Sequence, residues 1–197
     1  MNQFNWDTSF SVDFDLESGI AKRAETTKRY LSQMKDMYYD TDSAERILEE
    51  SDPLIYEFHE LGCPERCGDL AFGTTILYPG CVGDEYYMTK GHFHTILETA
   101  EVYYTLSGEG YMVMENPEGD ALELPLRAGE AVYVPRRYAH RSVNTGDQPL
   151  VMFYTFGADA GHDYGTIETK GYHKLIVKRE EGTAVIDNPK WKQGAAV

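Results

Sequence analysis

The chain has 197 residues and a formal charge of −15, with 42% hydrophobic residues. That length fills one good core, and the acidity argues against nucleic acid, whose affinity rests largely on Lys and Arg neutralising phosphates. No apolar run reaches the ~20 residues of a membrane span, and the start, Met1-Asn2-Gln3-Phe4-Asn5-Trp6-Asp7, has neither the basic nor the apolar region of a secretory leader.

No repeat or linker divides the sequence, so a single domain is expected over 1–197. It comprises an N-terminal α/β extension (1–69), a barrel core (70–160) and a C-terminal loop and hairpin (161–197). Within the extension, residues 21–37 predict a helix. A second, short helix is expected where Asp42-x-x-Glu45 resembles a capping box, with Ala44, Ile47 and Leu48 on one face and Pro53 beyond its end. Cys63, Cys67 and Cys81 make an odd count, which fits a reduced cytoplasmic protein better than a disulfide scaffold. Cys63 and Cys67 lack a second pair that would make them a zinc site, and read as ordinary loop thiols.

From Leu70 onward the pattern becomes short β-rich runs at 70–77, 86–89, 99–107, 110–115, 121–126, 131–134, 141–144 and 150–156. The breaks between them are turn sequences such as Ser107-Gly108-Glu109-Gly110 and Asn116-Pro117-Glu118-Gly119-Asp120. A late hairpin is expected over 173–177 and 183–186. Strands of this number and spacing predict a mainly β protein, a double-sheet jelly roll or closed barrel that protects its sheet edges.

His92 and His94 are one residue apart, so on an extended strand they point to one face and Phe93 to the other. Glu101 and His140 lie in further strand segments that a barrel brings together. Three imidazoles and a carboxylate suit a divalent first-row metal. A lone histidine of this kind would ordinarily be a satisfied core or surface residue; the whole set is expected to bind metal. Tyr133 and Tyr138 read as barrel packing.

His92-x-His94-x6-Glu101-x6-Gly108 resembles the first cupin motif, and Gly129-x5-Pro135-x4-His140-x3-Asn144 the second, with Arg137 where a glycine is usual. A narrower signature runs Thr75-x3-Pro79-x3-Gly83-x-Glu85-x3-Thr89-x-Gly91-His92-x-His94-x6-Glu101-x-Tyr103. It is similar to that of cupin-type glucose-6-phosphate isomerases, as are the loop Ala160-Gly161-His162-Asp163-Tyr164-Gly165 and the ending Asp187-Asn188-Pro189-x-Trp191. That family often has a second proline at Arg136 and a tyrosine at Phe156.

The resemblance implies a cytoplasmic homodimer that interconverts glucose 6-phosphate and fructose 6-phosphate in glycolysis and gluconeogenesis. It implies one divalent metal per subunit, Fe2+ first and Mn2+, Ni2+ or Zn2+ otherwise, on His92, His94, Glu101 and His140, holding and polarising O1 and O2 of the open-chain sugar. Glu101, Tyr103 and His162 become the candidate catalytic residues, by an enediol route or a hydride shift. Binding a cation lowers the basicity of Glu101, so its roles as ligand and base compete. Thr75, Thr89, Gly91 and Tyr164 become the substrate and phosphate residues, without need of Lys or Arg. Two other readings are a metal-dependent cupin oxygenase or epimerase-like enzyme and a non-catalytic sugar-binding cupin. Anaerobic isomerisation separates the first from an isomerase, and the complete ligand set speaks against the second.

Overall fold

The structure is a computed structural model that describes residues 4–191. The first three residues of the start read for a leader, and the part of 161–197 beyond Trp191, lie outside the described residues. In chain order the elements are β1 (Glu25–Tyr30), α1 (Thr41–Glu50), β2 (Leu54–Glu60), β3 (Leu70–Leu77), β4 (Cys81–Val82), β5 (Glu85–Tyr86), β6 (Glu101–Ser107) and β7 (Glu109–Glu115). There follow β8 (Ala121–Arg127), β9 (Ala131–Val134), β10 (Ala139–Asn144), β11 (Leu150–Gly157), α2 (Gly165–Lys170), β12 (Lys174–Arg179) and β13 (Gly182–Asp187).

These form three antiparallel sheets, ordered β1-β2-β3-β11-β6-β9, β10-β7-β8 and β13-β12-β5-β4. The extended segment after β5 joins the second to the third, because Met88 and His92 each bridge to β10, at Val143 and His140. The result is the expected mainly β jelly roll. Its core holds Leu77, Met112, Met114, Leu126, Leu150 and Met152, inward-facing residues fully out of solvent. On the far face of the six-stranded sheet, Phe72 and Phe153 pack under Phe4, Trp6, Phe10 and Phe14 of the N-terminal segment. That face is therefore covered by the chain itself.

The helix expected over 21–37 is absent; the same residues form β1 and two short 3-10 turns at Leu31–Gln33 and Lys35–Met37. No glycine or proline interrupts that stretch, yet β1 pairs with β2 from Glu25↔Glu60 to Tyr30↔Leu54, and tertiary pairing overrides local preference. β2 itself was not expected. α1 is present, but its cap is Asp40 rather than Asp42: the Asp40 carboxylate accepts the Ser43 amide at 2.9 Å. Ala44 is buried and Ile47 and Leu48 pack on the core, as their spacing predicts. Tyr133 is a further correction, since it is 61% exposed on the outer face rather than inside the barrel. All three cysteines carry free thiols.

Arg137 shows why its position suits glycine: its φ is +71°, in the left-handed region, while its amide donates to Leu97 O at 2.6 Å. Its guanidinium pairs with Glu118, and that of Arg136 with Glu98, both at the surface.

Candidate metal centre and active site

His92 and His94 lie on the extended segment beside β10, Glu101 opens β6, and His140 is the second residue of β10. His92 N donates to His140 O at 3.3 Å and His140 N to His92 O at 3.1 Å, which fixes the two imidazoles side by side. β6 brings Glu101 in from the opposite sheet, with Phe156 and Val134 as its strand partners. The ligand atoms of the four residues fall within 4.8 Å of one another. Phe93 is fully buried in the core, on the other side of the segment from its neighbours, as the strand alternation requires.

The hydrogen bonds decide which nitrogens are available. His94 Nδ1 lies 3.3 Å from Thr99 O, and His140 Nδ1 3.4 Å from Tyr138 O. A carbonyl only accepts, so both Nδ1 atoms carry the proton and both Nε2 atoms present lone pairs. Those lone pairs face Glu101 Oε2 at 3.2 and 2.9 Å. His92 Nε2 is buried without a hydrogen-bond partner. Lone pairs held against a carboxylate oxygen repel one another unless a cation or proton sits among them. The donor set thus fits a divalent metal, with three imidazole nitrogens and one carboxylate converging.

Electrostatics agree. Burial drives the His92 imidazolium out, so this ring is neutral at physiological pH, as a ligand must be. Burial alone would raise the Glu101 carboxyl, but positive charge and N–H donation at His140, His94 and His92 lower it below the usual carboxylate range, and a cation held among lone pairs there acts in the same direction.

The centre forms one end of a cavity of about 320 Å³. Tyr103, two residues on from Glu101, lines it; burial and then the Glu101 carboxylate push its hydroxyl well above the normal range, so it stays protonated. His162 and Tyr164 reach it from the loop after β11. That loop is laddered to the histidine segment, with Asp163 N donating to Phe93 O at 2.8 Å and Phe93 N to Asp163 O at 3.1 Å. The His162 ring lies 4.5 Å from that of His92 and stacks on Tyr164 at 5.8 Å; burial lowers its pKa. Phe156 stacks on His94 at 5.5 Å, presenting a bare ring beside the four candidate ligands.

Thr75, Thr89 and Gly91 line the same cavity. The Thr89 hydroxyl accepts the Ser142 amide at 3.0 Å, which leaves its own hydrogen free to donate. Gly91 has a φ of +72°, and a Cβ there would strike the Tyr172 hydroxyl, Arg141 and the His140 carbonyl. Lys90 turns the other way, to Glu168 at 2.8 Å. Every candidate residue therefore meets in one place.

The sequence reading missed Thr27, Arg29, Tyr56, Phe58, Glu60, Ser142 and Tyr154, which also line the cavity. Five of these belong to β1 and β2, read as helix or not at all. The alternation Thr27-x-Arg29 and Tyr56-x-Phe58-x-Glu60 was the available signal. Tyr154 needed only the pleat: it pairs with Tyr103 across β11 and β6.

A family model described as glucose-6-phosphate isomerase (GPI) matches residues 28–192. Curated proteins named glucose-6-phosphate isomerase are similar nearly end to end. One from Thermococcus litoralis is 46% identical over 93% of this chain and 96% of its own length. One from Pyrococcus horikoshii is 46% identical over 92% and 96%, and one from Sinorhizobium medicae 37% identical over 91% and 86%. Among solved structures, a deletion mutant of Bacillus subtilis oxalate decarboxylase overlies 59% of this chain and 30% of its own, at 25% identity and a TM-score of 0.43. An oxalate oxidase in complex with glycolate overlies 52% and 49%, at 18% identity and a TM-score of 0.42. Overlaps that partial do not bear on function. The match over most of the length of both partners does bear on kinship: the chain belongs to the cupin-type glucose-6-phosphate isomerase family.

Proposed function

We propose that this protein interconverts glucose 6-phosphate and fructose 6-phosphate with a divalent metal held by His92, His94, Glu101 and His140. The observation that carries the reading is the pair of Nε2 lone pairs fixed against Glu101 Oε2 in a cavity whose lining is otherwise rich in Thr, Ser and Tyr hydroxyls. When bound, the metal supplies Lewis-acid polarisation of the O1 and O2 oxygens of the open-chain sugar. Fe2+ is the first choice, with Mn2+, Ni2+ or Zn2+ compatible with the same mixed N/O donors.

The chain's own residues do the rest. Tyr103 keeps its proton and donates to a sugar oxygen, on the same strand face as Glu101. His162, neutral through burial, accepts a hydroxyl proton as the ring opens. Phe156 and Tyr154 wall the reacting end and exclude water. At the far end, Thr75 and Thr89 donate to the phosphate, with Tyr164 alongside and Gly91 giving the backbone its turn. Along β11, Phe156 pairs with Glu101, and Met152, four residues earlier, pairs with Thr75. That is about 13 Å of strand, room for an open six-carbon chain between its carbonyl and phosphate ends.

The depressed pKa of Glu101 favours a ligand over a free base. Glu101→Gln is therefore expected to lose metal and turnover together, read by metal analysis beside a coupled anaerobic assay from fructose 6-phosphate. Full turnover with metal retained would remove the carboxylate from the chemistry. No helix among the described residues is long and apolar enough to cross a membrane. A cytoplasmic homodimer acting in glycolysis and gluconeogenesis completes the reading, and light scattering on the purified protein tests the dimer.

A further inference from the structure

Arg29 is a charged cavity residue to which the phosphosugar reading gives no task. It is half-buried on β1, opposite Tyr56 of β2; its neighbour on the same face, Thr27, sits opposite Phe58, which in turn pairs with Thr75 of β3. Paired residues share a sheet face, so Arg29 stands on the wall that carries Thr75. The Tyr56 hydroxyl, raised by burial, accepts the Lys90 amide and feels the nearby positive charge of Arg29. Lys90 lies between Thr89 and Gly91, so Tyr56 links Arg29 to the second phosphate-side threonine.

Neighbouring cations are matched by acids. Lys28 pairs with Glu57 and Lys90 with Glu168. Arg29 has no carboxylate within ion-pair distance among the described residues: its guanidinium donates to Lys28 O at 3.2 Å and lies 5.8 Å from the centre of the Phe58 ring, and Glu60 on the same cavity wall feels its charge only from farther off. The chain has 33 acidic residues and 18 basic ones. A guanidinium left unpaired at a cavity wall in such a chain is a local exception to the field of the whole molecule.

Resting on the phosphosugar reading, we infer that Arg29 recognises the phosphate monoester of the substrate, adding a guanidinium to the hydroxyls of Thr75 and Thr89. A phosphate dianion approaching a strongly acidic protein is repelled at long range, and a cation at the cavity offsets that locally. The planar fork of arginine matches two phosphate oxygens at once, which a lysine ammonium does not. The residue thereby sets specificity for phosphorylated over neutral sugars. It contributes to substrate and transition state alike, since the phosphate takes no part in the isomerisation.

The test compares wild type, Arg29→Gln and Arg29→Lys as metal-loaded full-length protein. The readouts are kinetics on fructose 6-phosphate, competitive inhibition by inorganic phosphate, and the rise in Tm that inorganic phosphate produces. Arg29→Gln is expected to raise KM and the phosphate inhibition constant together by about tenfold or more, with kcat within about twofold. Its phosphate-induced rise in Tm should be largely lost, and Arg29→Lys should recover part of each effect. An unchanged KM and inhibition constant, or a fall confined to kcat, would overturn the inference. Wild-type protein inactive on both sugars would instead sink the functional reading; the phosphate rise in Tm still judges Arg29, and an equal rise in wild type and Arg29→Gln overturns its role.

Discussion

Replacing His92 and His94 together by alanine is expected to leave a folded protein that neither retains metal nor isomerises fructose 6-phosphate. The loss in kcat should be roughly 10³-fold or more, because metal polarisation is worth several kcal/mol and each 1.36 kcal/mol is tenfold in rate. Two of the three imidazole ligands disappear, and the remaining pair, His140 and Glu101, is too few for a stable site. The fold should survive, because Phe93 and not the histidines carries the packing of that segment. Metal analysis on both proteins, purified without added metal, checks the prediction. Equal metal content in variant and wild type would end the case for this site, whatever the activity.

The second large effect is on stability, and it lies away from the metal. Glu115 of β7 is fully buried and Lys170, the last residue of α2, is 3% exposed; Lys170 Nζ sits 2.6 Å from Glu115 Oε1. The same carboxylate accepts the His173 amide at 2.6 Å and the Trp191 indole N–H at 3.0 Å. One buried acid thus ties α2, the start of the C-terminal hairpin and the Asn188-Pro189 turn to the three-stranded sheet. Lys170→Met removes the countercharge and strands the carboxylate, which should cost about 3–5 kcal/mol. For a chain of this size that lowers Tm by about 6–20 °C. Adding Glu115→Gln should recover part of the loss, since a neutral amide needs no cation, while its one oxygen can accept only one of the His173 and Trp191 donors. Equal Tm for wild type and Lys170→Met would show that the ion pair contributes nothing. α2 begins one residue after Tyr164, so the same variant should also lower kcat while metal content is unchanged.

The candidate metal ligands were legible because strand periodicity is local: His92-x-His94 declares a shared face without any fold in hand. Glu101 and His140 needed distant strands to meet, and the spacing of the two cupin-like motifs supplied that. Most strands from β3 onward were visible because turn sequences bracket them; Leu70–Leu77 and Ala131–Val134 match their expected limits residue for residue, whereas the two-residue β4 was not expected and β5 meets the expected run 86–89 only at Tyr86. The N-terminal third was misread for the opposite reason. Residues 25–30 become a strand through pairing with β2, and β2 through pairing with β3, which no window of sequence contains.

By itself, then, the sequence determined the mainly β class, and it picked out the four converging candidate ligands, the loop bearing His162 and Tyr164, and Thr75 and Thr89, which the structure brings to one cavity. Periodicity, turn chemistry and fixed motif spacing are properties of the chain alone. Tertiary structure decided which imidazole nitrogens face the carboxylate, since the backbone carbonyls that pin each Nδ1–H depend on how the loops close. It decided that β1 and β2 wall the cavity and bring Arg29 and Tyr56 beside the threonines. It also decided that Glu115 and Lys170, 55 positions apart in the sequence, share one buried contact. Hydrogen-bond direction and long-range pairing follow from packing, and packing is where the chain's local signals stop.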